Sequence, residues 1–327
     1  MEKFLSCDWG TTAFRLRLVD ASSFKIIEEQ NTTRGIAETF QQWKKTGKNE
    51  KDRLSFYLDI IKEHIKTIER KAGISLNEVP LIISGMASST IGMADLPYKD
   101  IPFSVDGSDI KVHSITATSS FRHNVTIISG VRTEDDVMRG EETKLIGCAA
   151  AVPDKSEHIF IFPGTHPKHV NVKNGKATAF KTYMTGEFFD LLSRKSILSV
   201  SVEEGEGLHK ANNLKAFEKG VKDSISSNIL HTCFLVRTNN VFNKLTKAEN
   251  YYYLSALLIG TELKEVKNLT DTNITIVGNA AITPYYTIAL KVLDLPEADV
   301  LIQTRQADEA LIKGQFIIWS KRKETLL

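Results

Sequence analysis

Phe4-Leu5-Ser6-Cys7-Asp8-Trp9-Gly10-Thr11-Thr12-Ala13-Phe14-Arg15-Leu16-Arg17-Leu18-Val19 is the stretch that decides the fold. Phe4–Cys7 reads as an apolar strand and Gly10-Thr11-Thr12 as a tight turn. Phe14–Val19 reads as a second strand in which Phe14, Leu16 and Leu18 alternate with Arg15 and Arg17. Adding 154 to each number lands on a second version that starts at His158 and places Gly10 on Gly164, Thr11 on Thr165, Leu16 on Val170 and Leu18 on Val172. Each half of the chain therefore opens with an apolar strand, a Gly-Thr turn and an alternating strand. The expectation is two β-hairpins, in two α/β domains, facing each other across a cleft.

Outward from the hairpins the same grammar continues. Phe24–Thr33 reads as a third strand, antiparallel because the connections are too short for crossovers. The spacing of Leu54, Leu58, Ile61, Ile65 and Ile68 predicts a helix over Asp52–Ala72 closed by Gly73. Leu81–Ile83 and Val125–Ser129 read as buried strands, with short strands and loops over Pro97–Phe121. In the second half, Ile159–Phe162, Lys168–Val172 and Gly175–Tyr183 read as strands. Helices are expected at Glu187–Arg194, Val202–Lys219 and Lys247–Val266. A strand at Asn273–Val277 then breaks at Gly278-Asn279, and helices follow at Pro284–Leu293 and Ala307–Arg322.

Composition removes several classes of function. The 327 residues carry 42 Lys+Arg against 40 Asp+Glu, a net charge of +2, which supplies no field to recruit nucleic acid or an acidic membrane. Cys7, Cys148 and Cys233 form no CxxC pair and sit in apolar runs, as in a reduced cytoplasmic chain with inert thiols. The apolar stretch after Met1-Glu2-Lys3 is too short for a signal peptide. The charge-free stretch Thr272–Leu290 contains Asn273, Gly278, Asn279 and Pro284, which argue against a membrane span. The expected location is the cytoplasm. No GxxxxGK[ST] occurs, and no GxGxxG follows a strand. His166 and His169 have HxxH spacing, but a strand points them to opposite faces, which argues against a zinc site.

The Gly-Thr turns admit two readings. They are ordinary hairpins, or they are anion sites in which turn N–H groups and Thr hydroxyls grip a polyphosphate. Asp8, which closes the first strand beside its turn and has Phe162 as its counterpart, is the acid that a Mg²⁺ ion on nucleotide phosphates would need, usually through its waters.

Asp8-Trp9-Gly10-Thr11-Thr12 with Arg15 resembles the first phosphate motif of the sugar-kinase, Hsp70 and actin superfamily. More narrowly, the chain resembles the 2-dehydro-3-deoxygalactonokinase family. The likeness lies in Ile83-Ser84-Gly85-Met86-Ala87, Leu96-Pro97-Tyr98, Gly130-Val131-Arg132-Thr133, Asp136-Val137-Met138-Arg139-Gly140-Glu141-Glu142-Thr143, Pro163-Gly164-Thr165-His166-Pro167-Lys168, Met184-Thr185-Gly186-Glu187 and Leu192-Ser193-Arg194. The resemblance implies two RNase-H-like (actin/hexokinase-type) domains with an interdomain cleft, 1–135 and 136–327, the last helix returning to the first. It also implies transfer of the γ-phosphate of ATP, with Mg²⁺, to a hydroxyl of 2-dehydro-3-deoxygalactonate, by family the terminal one.

By the same resemblance, Asp8 orients Mg²⁺; Gly10, Thr11 and Thr12 hold the β- and γ-phosphates; and Arg15 stabilises charge on the transferring group. Gly164 and Thr165 form the second phosphate turn with Lys168 as helper, and Gly278-Asn279 contacts adenosine. Glu141, with Asp136 as rival, is the base for the acceptor hydroxyl. The alternative for Glu141 and Glu142 is charge that complements a helix N-terminus. Arg34, Arg132 and Arg139 are candidates for the substrate carboxylate, with Ser84, Gly85, Met86 and Tyr98 as lining; each of these could equally be a structural residue.

Three departures from the family pattern stand out. Ser88-Ser89-Thr90-Ile91-Gly92-Met93 replaces a loop that usually reads Gly-Ser and ends in Gly-Trp. Pro167-Lys168-His169 stands where Ser-Lys-Trp is usual, and Phe14 where a smaller residue is common. The first departure bears on the identity of the sugar acid. Two other readings fit the residues: a kinase of the same fold for another sugar acid, and a non-kinase ATP-dependent switch protein. The expected partner is a small molecule, with no nucleic acid and no membrane. Homo-oligomerisation is left open, because pattern alone does not separate an exposed apolar helix face from core.

Overall fold

The computed structural model describes residues 2–149, 157–266, 272–294 and 302–325. Contacts divide the chain into a first unit, residues 1–154, 174–179 and 307–327, and a second, residues 155–173 and 180–306. The boundary expected after residue 135 falls inside the first unit, because the segments that follow it pack there.

In the first unit, β1 (Lys3–Trp9), β2 (Phe14–Asp20) and β3 (Ile26–Thr32) form an antiparallel meander. Two helices follow, α1 (Ile36–Lys45) and α2 (Arg53–Ala72), and β4 (Leu81–Gly85) then returns parallel to β1. After β5 (Lys99–Asp100), β6 (Phe103–Ser104) and β7 (Val112–Ile115), β8 (Val125–Ile128) adds parallel to β4. The sheet order is β3-β2-β1-β4-β8-β7. A small sheet holds β9 (Val131–Arg132) and β10 (Val137–Met138), and α3 (Glu141–Ala149) follows.

The register explains the core. Leu5↔Leu18, Cys7↔Leu16 and Trp9↔Phe14 are cross-strand pairs on one face. They pack with Tyr57, Ile61, Ile65 and Ile68 from the apolar stripe of α2. Gly73 ends that helix in the left-handed conformation, φ +67. The opposite face is covered as well. Arg17, expected on a polar face, is only 1% exposed, and its guanidinium pairs with Asp308 at 2.9 Å on the terminal helix α9 (Ala307–Thr325). Gln315 of α9 donates to the Cys7 carbonyl and to Ser84 Oγ, both at 2.9 Å.

In the second unit, β11 (Glu157–Phe162), β12 (Lys168–Lys173) and β13 (Lys176–Thr182), of which residues 176–179 count with the first unit, lead into α4 (Thr185–Lys195), α5 (Ala211–Ser226), α6 (Ile229–Val241) and α7 (Lys247–Leu263). Next come β14 (Thr272–Gly278), α8 (Thr283–Val292) and β15 (Ile302–Gln306). The order β15-β14-β11-β12-β13, with β11, β14 and β15 parallel, repeats β8-β4-β1-β2-β3 of the first unit. The chain thus adopts the two-sheet α/β architecture expected from its sequence.

Several local readings change. The helix expected from Val202 starts at Ala211, because Gly207 sits at φ +116 and interrupts it. Helices α1 and α6 and strand β15 were not anticipated. The 154-residue offset holds for β1 and β11 but is 153 for β2 and β12: Cys7 faces Leu16, whereas Ile161 faces His169. The second turn is one residue shorter, and a one-residue slip exchanges the faces of a strand. His169, not Val170, therefore occupies the position of Leu16.

Candidate active site

Open sheets with parallel strands bind ligands beyond the strands' carboxyl ends, and the expected residues of the first unit gather there. At the end of β1, Asp8 lies directly across from Arg15, and its Oδ2 accepts from Arg15 Nη1 at 3.0 Å. The end of parallel β4 is Gly85, at φ +88, where a Cβ would stand 2.9 Å from the Trp9 carbonyl and 3.4 Å from Asp8 Oδ1. Gly140, at φ +111, lies against it, its Cβ position in ordinary contact 3.6 Å from Gly85 Cα. Two glycines in conformations that side chains rarely adopt thus leave the space beside Asp8 open.

The turn itself is closed by Gly10 N–H donating to the Ala13 carbonyl at 2.9 Å. Its other carbonyls are occupied from behind: the first amides of α1, Ile36 and Ala37, donate to Gly10 and Thr11 at 2.9 and 3.1 Å. That contact requires Gly35, whose Cβ would stand 2.2 Å from the Thr11 carbonyl oxygen. With its carbonyls held this way, the turn leaves Thr11 and Thr12 exposed.

Around this point the remaining candidates separate. Ser84 is buried and its Oγ accepts from Gln315, while Met86 opens a short 3₁₀ turn, Met86–Ser88. Arg139 donates to the Ser88 carbonyl and, at 2.6 Å, to its hydroxyl, and its guanidinium lies 4.3 Å from the centre of the Tyr98 ring. It therefore holds the loop that departs from the family pattern. Arg132 pairs with Asp100 at 2.6 Å, and Arg34 with Gln42 at 2.5 Å and Glu38 at 3.6 Å, on exposed surface. Half-buried Glu141 accepts from the Arg139 amide at 3.2 Å. Asp136 shapes its own turn, its Oδ1 accepting from the Val137 amide at 2.7 Å.

Glu142 is fully buried at the start of α3; its carboxylate accepts from the Gly140 amide at 2.7 Å and from Thr143 Oγ1 at 2.9 Å. Burial, with the charge of Glu141 adding to it, pushes its carboxyl up to about 7. The neighbouring pair Glu141-Glu142 thus holds one solvent-reachable carboxyl and one buried one.

The second unit builds its turn by the same device. Glu187 N–H of α4 donates to the Thr165 carbonyl at 3.1 Å, and Gly186 allows it, since a Cβ there would stand 2.4 Å from the Gly164 carbonyl. Lys168 is buried and donates to the His166 carbonyl at 2.9 Å, placing an ammonium directly behind the turn. His166 and His169 part company, as expected: His166 meets Glu187 at 2.5 Å, whereas His169 meets buried Glu262 at 2.8 Å. Glu262 also accepts from Thr185 and, at 2.9 Å, from Tyr286, tying β12, α4 and α8 to α7. Among the described residues no three His, Cys, Asp or Glu side chains converge as a metal site.

A cavity of about 320 Å³ opens beside Gly164 and Gly186. Phe189, Tyr251 and Tyr285 supply its aromatic wall, with Phe189 and Tyr251 edge-to-face at 5.0 Å, and Asn279 lies at its rim. Asn279 Oδ1 accepts from the Ala281 and Ile282 amides at 3.0 and 3.1 Å, so it caps the turn into α8. Gly278 ends β14 and does not line the cavity. Sequence reading missed Gly35, Gly186, Glu262 and the cavity tyrosines. The two glycines carried one faint signal, each immediately preceding the residue whose amide meets a Gly-Thr turn.

Residues 8–318 match the model of the family described as 2-keto-3-deoxy-galactonokinase. Among curated proteins, DgoK1 of Rhizobium meliloti (strain 1021), assigned as a 2-dehydro-3-deoxygalactonokinase, is 29% identical over 95% of this chain and 94% of its own. The 2-dehydro-3-deoxygalactonokinase of Escherichia coli K12 is 27% identical over 89% and 90%. Among solved structures, a Sinorhizobium meliloti protein described as a candidate 2-dehydro-3-deoxygalactonokinase superposes with a TM-score of 0.77 at 25% identity, covering 98% of this chain and 96% of that one.

Proposed function

Because the chain belongs to the 2-keto-3-deoxy-galactonokinase family, we propose that it transfers the γ-phosphoryl group of ATP to a hydroxyl, by family the terminal one, of 2-dehydro-3-deoxygalactonate. The observation that carries this reading is the duplicated Gly-Thr turn, each braced through a glycine by a helix start, with Asp8 beside the first and an aromatic cavity beside the second.

Phosphoryl transfer asks a protein for positioning and charge neutralisation. The acceptor oxygen bonds to the γ-phosphorus, the bond to the β-γ bridging oxygen breaks, ADP leaves, and the hydroxyl proton passes to a carboxylate. Glu141 is the proposed acceptor of that proton; it is partly exposed at the start of α3, whereas Glu142 is sealed, and Asp136, also partly exposed, is its rival. Arg15 holds Asp8 and lends positive charge to the transferring group. Thr11 and Thr12 with Gly10, and Gly164 and Thr165 with Lys168 behind them, hold phosphate oxygens. The cavity walled by Phe189, Tyr251 and Tyr285, with Asn279 at its rim, takes the nucleoside, since aromatic faces stack a base without demanding a sequence of donors.

Mg²⁺ would be held at Asp8, whose Oδ2 pairs with Arg15 while Oδ1 faces the gap that Gly85 leaves; a single protein carboxylate suits an ion bound mainly by phosphates and water. The ion would supply neutralisation of β- and γ-phosphate charge. For the substrate carboxylate, Arg34 and Arg132 are the proposed partners, because exposed ion pairs such as theirs contribute only about 0–1 kcal/mol and exchange readily. Arg139 positions the Ser88 loop instead.

The test is ADP formation from Mg-ATP with and without 2-dehydro-3-deoxygalactonate, its gluconate epimer and a set of aldonic acids. Stimulation of at least about tenfold by the galacto compound alone supports the reading, and stimulation by another acid moves substrate choice to the Ser88–Met93 loop. Slow release indifferent to every acid would leave the switch-protein reading in its place. Glu141→Gln is expected to lower turnover by about 10²–10⁴-fold while nucleotide affinity holds, and near-normal turnover removes Glu141 from the role.

A further inference from the structure

Helix α6 carries apolar side chains on both faces. Two of its three fully buried residues, Thr232 and Asn239, are polar, while its outer surface presents Leu230 at 83%, Phe234 at 52% and Val241 at 53% exposure. Phe242, immediately after the helix, is exposed too, as are Ile197 and Val200 of the 3₁₀ turn Ile197–Ser201 that packs on α6. These six side chains are on average more than half exposed. At about 150–250 Å² for a large apolar side chain they present on the order of 700 Å² of apolar surface. A typical monomer's largest patch is about 300–600 Å², whereas each partner in a standard protein interface buries about 800 Å².

We propose that this face of the second unit is a two-fold interface that docks on a second copy of this chain. An isologous contact sets each patch against itself, so any net charge on it would repel its own image. This patch is poor in charge, carrying one cation on the helix and one just beyond it. Arg237 is the only charged residue in α6, and its guanidinium is drawn to Ser201 Oγ at 3.3 Å. The nearest cation beyond the helix, Lys244, lies 5.5 Å from the centre of the Phe242 ring. The scarcity of cations disfavours a lipid surface, because interfacial helices carry Lys and Arg along their polar face, and here the helix's other polar residues Thr232, Thr238, Asn239 and Asn240 are uncharged. The area suits a partner of equal size and character.

The experiment is sedimentation velocity and light scattering on the full chain from about 1 to 100 µM. The expected species has twice the chain mass of 36.6 kDa. Phe234→Asp should raise the dissociation constant by about a hundredfold, as central aromatic contacts do, with an unchanged circular dichroism melt. Leu230→Lys serves as the second variant if the first fails to fold, since its side chain is almost wholly in solvent. Ile74→Asp, exposed in the first unit, should leave the dimer intact. The proposal is overturned by a monomer throughout that range, by a dimer that both α6 variants leave unchanged, or by a monomer that cosediments with anionic phosphatidylserine vesicles through Phe234.

Discussion

At the scale of single residues, the adjacent glutamates Glu141 and Glu142 show how one step along a chain separates chemistry from structure. Helix geometry turns consecutive side chains about 100° apart, so one carboxyl is partly open and the next is sealed. Glu142, with its carboxyl raised to about 7 from an ordinary value near 4.5, penalises the folded state once it must ionise. The unfolded chain releases that proton at lower pH than the folded one. The penalty is therefore absent below about pH 4.5 and grows as pH rises through 7. Glu142→Gln should then stabilise the protein by about 2–3 kcal/mol at pH 8, with the gain vanishing near pH 4.5. Denaturant unfolding of both proteins across pH checks this, and a gain independent of pH would refute it. The sequence shows two acids at a helix start; which of them is buried is decided by tertiary packing that no local pattern encodes.

At the scale of elements, the unit that repeats is a hairpin with a helix start pressed against its turn. Hairpins were legible because alternation and a Gly-Thr turn are local signals. The braces were not, because Gly35 and Gly186 matter only through what lies against them. Gly186→Ala and Gly35→Ala would each drive a Cβ to within 2.5 Å of a turn carbonyl oxygen. Both should cost more than about 2 kcal/mol in urea unfolding and raise the KM for ATP. Gly164→Ala is the contrast, for nothing lies within 4 Å of its Cβ position. It should unfold near the wild-type midpoint, so any loss of ATP affinity there reports on the ligand. Equal destabilisation by all three substitutions would dissolve the distinction. Helix α6 escaped sequence reading for a related reason: with apolar side chains on both faces it has no 3.6-residue period to detect, and its outer face has meaning only at the level of an assembly.

At the scale of the whole molecule, the proposed roles fall into separate units, and that separation is measurable. The aromatic cavity lies wholly within the second unit, and Asp8, Gly85 and Glu141 lie within the first. In hydrogen exchange, ADP should slow amides around residues 164–165, 185–189 and 279–286, and the sugar acid those around 84–88 and 139–142. A single shared footprint for both ligands would contradict the assignment of roles. No helix among the described residues is long and apolar enough to cross a membrane. By itself the sequence determined the fold class, most of the strands and helices, and the two Gly-Thr turns, because alternation, helical spacing and turn chemistry act between residues close along the chain. Only the tertiary structure decided the one-residue difference between the hairpins, the sealing of Glu142, the Glu262 cluster and the aromatic cavity. Each of those depends on distant segments meeting, and the free energy of such contacts is set by packing and burial that no stretch of the sequence holds alone.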